Sequence, residues 1–181
     1  MERNVAQIAL FTALIAALGL IPQLTLAFGV PITAQSLGVM LCGTVLGARH
    51  GGLAALLFVG LVALGLPLLA GGRGGLGLFT APTAGFLIGF PVAAFVTGLV
   101  MERLRGFAVG WAAGIAAVLG GVVTLYLFGI AGLAIVLDKS AVEAAVLVTA
   151  FIPGDMIKAV LAGLITAALF RARPHSVLSR G

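Results

Sequence analysis

The sequence predicts an all-α membrane protein, a bundle of six transmembrane helices with both termini cytoplasmic. Three observations carry that expectation. Of 181 residues, 62% are hydrophobic and 8% charged, where soluble domains carry roughly 25% charged residues. Apolar runs long enough to cross a bilayer recur along the chain, rich in Ala, Leu and Gly with none of the alternation of a membrane strand. The basic residues gather at alternate boundaries between those runs. A soluble domain of this size keeps too much surface wet to hide so many apolar side chains, and disordered chains are polar.

Charges and prolines set the boundaries. The chain opens Met1-Glu2-Arg3-Asn4 and turns directly apolar. The run is long and shows no clear cleavage site, so it reads as a retained first span over 5–21 and not as a signal peptide. Nothing is charged from Asn4 to Ala48, which is too long for one span. Pro22-Gln23 and Pro31-Ile-Thr-Ala-Gln-Ser36 interrupt it, leaving a second span over 33–48. The third, 52–70, follows Arg49-His50 and ends at the glycine-rich Gly71-Gly-Arg73-Gly-Gly75. The fourth, 79–101, ends at Glu102-Arg103-Leu104-Arg105. The charge-free stretch after Arg105 suits one tilted span over 107–133. Ser140-Ala-Val-Glu143 is a capping-box pattern that starts a helix. Pro153-Gly154 then marks a break, so 153–170 is the last span and 140–151 lies near one face. The whole chain, 1–181, reads as a single integral membrane domain.

Six spans place both ends on one side. Arg3, Arg49, Arg103, Arg105, Arg171, Arg173 and Arg180 fall on that side, Arg73 and Lys139 on the other, and Lys158 within a span. The positive-inside rule assigns the arginine-rich side to the cytoplasm.

Several functions are excluded. The single Cys42 allows no intrachain disulfide and no cysteine-built zinc site. The net charge of +5 is spread over loops and forms no basic stripe for nucleic acid. There is no Walker A sequence, so the chain cannot draw on ATP itself. His50 and His175 lack a second ligand at metal spacing, and no hydrolase motif is present. The run from Gly71 to Gly77 contains a formal G-x-G-x-x-G, but no strand–helix–strand unit surrounds it.

Asp155 and Lys158 are the strongest chemical signal. Ionisable groups inside a span are costly and usually functional, and the i,i+3 spacing puts both on one helix face. Asp155 also lies in the first turn after Pro153, where the helix dipole favours an anion. Two readings stand side by side: a salt bridge that neutralises two charges, or a polar pocket that grips a ligand. Thr33 and Gln35, in the uncharged loop, and Arg73, the only arginine on the outer side, are further candidates to bind a ligand. Ala9, Ala13 and Ala17 form a small-residue stripe on the first span, suited to close packing within the bundle or against a partner.

The chain resembles the BioY family, the substrate-capturing membrane component of energy-coupling-factor (ECF) biotin transporters. The resemblance rests on Val30-Pro-Ile-Thr-Ala-Gln35, Gly65-Leu-Pro-Leu-Leu-Ala-Gly-Gly-Arg-Gly-Gly75, Ala81-Pro-Thr-Ala-Gly-Phe-Leu-Ile-Gly-Phe-Pro91 and Ile152-Pro-Gly-Asp-Met-Ile-Lys158. Ala34 and Ala81 stand where many relatives have Leu and Gly; neither change removes a polar group. The resemblance implies a six-helix bundle in the bacterial cytoplasmic membrane that takes biotin from outside and works with a transmembrane coupling subunit and two cytoplasmic ATPase subunits. Some members are reported to move biotin without that module. It also implies that Ala9, Ala13 and Ala17 dock the coupling subunit, that no cofactor is needed and that the chain is no enzyme. Biotin fits the polar groups already found. Asp155 accepts from the ureido N–H groups, Gln35 or Thr33 complete the ring's contacts, and Lys158, or else Arg73, holds the carboxylate. The rival readings are a related component for another small anionic vitamin, an intramembrane enzyme using Asp155, and a purely structural subunit.

Overall fold

The structure is a computed structural model and describes residues 2–27 and 29–181. Helices dominate it: α1 (Glu2–Leu18), α2 (Gln35–Ala63), α3 (Ala84–Arg103), α4 (Val109–Ala116), α5 (Leu125–Val136), α6 (Ala141–Val148) and α7 (Ile152–Ala172). A two-residue antiparallel ladder, β1 (Leu24–Thr25) with β2 (Pro31–Ile32), closes the connection between α1 and α2. Among the described residues, four helical stretches are long and apolar enough to cross a membrane: Gln35–Ala63, Ala84–Arg103, Val109–Val136 and Ala141–Ala172.

The first of these stretches is not straight. Gly47, at φ 81° and ψ −177°, lies outside helical backbone space, in a region essentially confined to glycine. At about 1.5 Å per residue an unbroken helix would hold Cys42 and Gly51 about 13.5 Å apart. Instead, a methyl group added at Gly51 would sit 2.6 Å from the Cys42 carbonyl oxygen. The chain therefore reverses at Gly47, and α2 is a tight helical hairpin. Glu102, from the end of α3, accepts the Ala48 amide at 2.8 Å and secures the reversal. At the open end of the hairpin, Gln35 meets Leu68 and Ala70.

Two helix boundaries differ from the sequence expectation by five residues or more. Helix α2 ends at Ala63, not near residue 70, because Pro67 biases Leu66 out of helical space. Helix α3 begins at Ala84, not near residue 79; a short 3-10 turn over Leu76–Thr80 and Pro82 precede it. In contrast, 109–136 is one continuous helical rod, with a π-helical segment, Ala117–Thr124, between α4 and α5. The capping box is present. The Ser140 hydroxyl accepts from the Glu143 amide, and Glu143 accepts from the Ser140 amide at 2.9 Å.

The main core joins α1, α2, α3 and α5 through Ile15, Val45, Phe58, Phe90 and Leu125, with the tail residue Val177 at its edge. At the helix–helix contact of α3 and α5, Gly85 and Gly132 meet backbone to backbone: a methyl on Gly132 would lie 2.6 Å from the Gly85 Cα. The bundle has two distinct ends. At one, Asn4 meets His50, Gln7 donates to the Ser176 carbonyl, and Arg180 donates to the carbonyls of Leu104 and Arg105. Burial there, together with the neighbouring Arg105 charge, lowers the Arg180 pKa from its ordinary value. At the other end, the 30–36 segment, the 64–83 connection and the start of α7 surround a cavity.

Candidate ligand-binding site

Asp155 follows a short 3-10 turn, Thr149–Phe151, that joins α6 to α7; the backbone stays helical through it, so 141–172 is one helical stretch where the sequence predicted a break at Pro153. Pro153 occupies the first turn of α7, where its missing N–H costs the helix nothing. Asp155 follows in that same turn, 5% exposed. Three side chains donate to it. Lys158 reaches Oδ1 at 2.9 Å, Ser36 from the start of α2 reaches Oδ1 at 3.1 Å, and Tyr126 from α5 reaches Oδ2 at 2.8 Å. An ionised carboxylate offers about four lone-pair sites, so one acceptor direction on Oδ2 is left over.

Lys158 has its own complement of partners. Its ammonium donates to the Thr33 carbonyl at 2.6 Å, to Ser36 Oγ at 3.0 Å and to Asp155 Oδ1. Those three acceptors use all three of its hydrogens. Arg73 is different. Its Nε donates to the Ala70 carbonyl at 3.2 Å, and among the described residues no carboxylate pairs with it, since Lys158–Asp155 is the one ion pair there. Its terminal guanidinium donors remain for a ligand.

The cavity measures about 610 Å³ with its open mouth included, and Asp155, Lys158, Ser36, Thr33, Gln35, Arg73 and Thr83 supply its polar lining. Val30, Ile32, Leu69, Phe86, Leu87, Phe90 and Phe151 form apolar walls, with Phe86 and Phe151 in tilted ring contact at 5.7 Å. Apolar walls with a few convergent polar groups are the ordinary character of a small-molecule site. The wider groove between α4 and α7, around Trp111, Gly114 and Leu164, offers no such convergence; Arg171 is its single charged group.

All five residues singled out from the sequence as ligand-binding candidates line this one cavity. Gln35 plays a different part from a ligand donor. Its amide hydrogens go to the carbonyls of Ile15 and Leu68, and its oxygen accepts from the Ala70 amide. It clamps α1 and the 64–83 connection onto α2 and so shapes the wall. Thr33 accepts the Gln35 amide at 3.3 Å and can still donate its hydroxyl hydrogen. Ala9, Ala13 and Ala17 are exposed, on the face of α1 away from the buried Thr12 and Ile15.

Sequence reasoning named Ser36 only as part of the polar loop 31–36, and did not single out Tyr126, Thr83 or the three phenylalanines. Tyr126 carried one usable signal: it is the chain's single tyrosine, in an apolar helix where a phenolic O–H needs a partner.

Comparison with known proteins places this geometry in a lineage. The family model described as the BioY family matches residues 2–175. The chain belongs to the BioY family. Among its relatives, the "Biotin transporter BioY" of Rhodobacter capsulatus is 54% identical, covering 100% of both chains. The protein of the same name from Rhizobium etli is 52% identical over 95% of each, and a "Probable biotin transporter BioY" from Bacillus subtilis is 42% identical. These BioY relatives are transporters, not enzymes. Among solved structures, the S-component for biotin from an ECF-type ABC transporter matches with a TM-score of 0.88. It is 30% identical and covers 94% of this chain and 92% of its own.

Proposed function

We propose that this protein is the biotin-capturing membrane component of an ECF-type transporter. The carrying observation is the buried Asp155 carboxylate, which keeps an acceptor direction beside Lys158 and lies in the same cavity as an arginine without an acid partner. In this reading Asp155 Oδ2 accepts a ureido N–H of biotin. The Thr33 hydroxyl donates to the ureido carbonyl, and the apolar walls enclose the thiophane ring and chain. The two cations exchange the roles that spacing alone suggests. Lys158 holds Asp155 and the 33–36 segment in place, and Arg73, with donors to spare, receives the carboxylate.

The reversal at Gly47 supports a count of six membrane crossings, with the two arms of α2 as the second and third, in one integral membrane domain. The arginine-rich end, with both termini, then faces the cytoplasm and the cavity opens outward. The exposed stripe of Ala9, Ala13 and Ala17 docks a transmembrane coupling subunit. Two cytoplasmic ATPase subunits drive reorientation of the bundle in the bacterial cytoplasmic membrane.

Titration calorimetry of the detergent-purified protein with biotin, biotin methyl ester and thiamine tests this reading. Biotin binds tightly, the ester at least about tenfold more weakly through loss of a charge-assisted contact, and thiamine not at all. Equal affinity for acid and ester would remove the Arg73 assignment; preference for thiamine would replace biotin with another vitamin.

A further inference from the structure

Among the described residues that line the cavity, one fully buried side-chain polar atom finds no partner in the protein. Thr83 is 7% exposed and lines the cavity, yet its Oγ1 makes no hydrogen bond. Buried hydroxyls left unpaired are costly and uncommon. The local backbone deepens the anomaly. Thr83 stands at the N-cap of α3, where a threonine ordinarily accepts from a first-turn amide. Here its backbone is helical, at φ −79° and ψ −10°, and no side chain caps the helix. The hydroxyl is therefore used neither as a cap nor as a tertiary contact. A threonine hydroxyl can exchange places with its methyl group by rotation about Cα–Cβ.

We propose that Thr83 is a ligand-binding residue whose hydroxyl donates to the ligand's carboxylate alongside Arg73. The inference rests on the biotin reading of the cavity and adds a specificity contact to it. The remaining polar lining points the same way. Asp155, Lys158, Ser36 and Thr33 are tied together around the ion pair, and Gln35 is fully engaged with backbone. With the Thr33 hydroxyl given to the ureido carbonyl, Arg73 and Thr83 are left with unused donors, and an anion is the group that takes both. The position at the N-terminus of the 20-residue α3 favours negative charge as well.

The test is a two-ligand comparison on the full chain in detergent. The ligands are biotin and an analogue whose side chain ends in a methyl group, with no oxygen there to accept. Thr83→Val weakens biotin about tenfold or more, as loss of a donor to a charged acceptor does, and leaves the methyl-ended analogue unchanged. Thr83→Ser keeps biotin affinity within about threefold, because it retains the donor. Without ligand, Thr83→Val melts no lower than wild type, since a methyl group replaces an unpaired hydroxyl in apolar surroundings. Wild-type affinity for biotin in Thr83→Val, or an equal loss for both ligands, overturns the proposal. If Asp155→Asn weakens biotin and Thr83→Val does not, the role of Thr83 alone falls. If the wild-type protein binds no biotin, the reading of the whole cavity falls with it.

Discussion

Asp155 and Lys158 neutralise one another inside an apolar bundle, yet they do not form a closed pair. Together with Lys158, Ser36 and Tyr126 from other helices fill three of the carboxylate's acceptor directions, and one is left toward a ligand. Replacing a buried pair with apolar residues often costs nothing, whereas removing one partner strands a charge. Two substitutions test the pair, and both leave Lys158 without its counter-ion. Asp155→Asn keeps the shape and loses the charge, and biotin affinity falls about 10- to 100-fold, the equivalent of one charge-assisted hydrogen bond. Asp155→Ala leaves Lys158 with two neutral acceptors and destabilises the fold by about 3–5 kcal/mol, read as a lower melting temperature in detergent. Unchanged affinity in Asp155→Asn would reduce the pair to mutual neutralisation.

Among the helices, the hairpin in α2 does the most to build the site. It brings Gln35 and Ser36, at one end of the helix, back beside the connection that follows the other end. Without the reversal at Gly47, the Gln35 clamp and the Leu69–Arg73 turn could not share a wall of the cavity. Gly47→Ala puts a Cβ on backbone at φ 81°, directly against the Glu102 carboxylate. The expected cost is about 1–3 kcal/mol, with loss of biotin binding following loss of the fold. A variant that melts like wild type would show that the hairpin tolerates another backbone path. The π-helical segment before α5 lies just before Tyr126, and such bulges often accompany functional sites.

Assembly depends on what the bundle leaves uncovered. The small-residue face of α1 is exposed at Ala9, Ala13 and Ala17, with Val5 and Leu10 beside it, both more than half exposed. Close helix approach in lipid needs small side chains at the contact. Ala13→Trp keeps biotin affinity within about twofold, because it touches neither the cavity nor the core. It abolishes copurification with the coupling subunit. Normal copurification would move the docking surface to another helix.

Composition and charge spacing made the membrane class legible, because lipid selects against charge throughout a span and the loops keep what remains. The same reasoning found Asp155 and Lys158, since a buried ion in an apolar helix stands out wherever it folds. Thr33, Gln35 and Arg73 were legible as polar residues in breaks between apolar runs. What each of them does was not legible. The saturation of Lys158, the clamp made by Gln35, the spare donors of Arg73 and the unpartnered Thr83 hydroxyl all depend on which distant backbone atoms come within about 3 Å. Hydrophobic patterning has no memory of such partners. It records which side chains avoid water, a property of each residue alone, while hydrogen-bond saturation is a property of the neighbours that folding supplies.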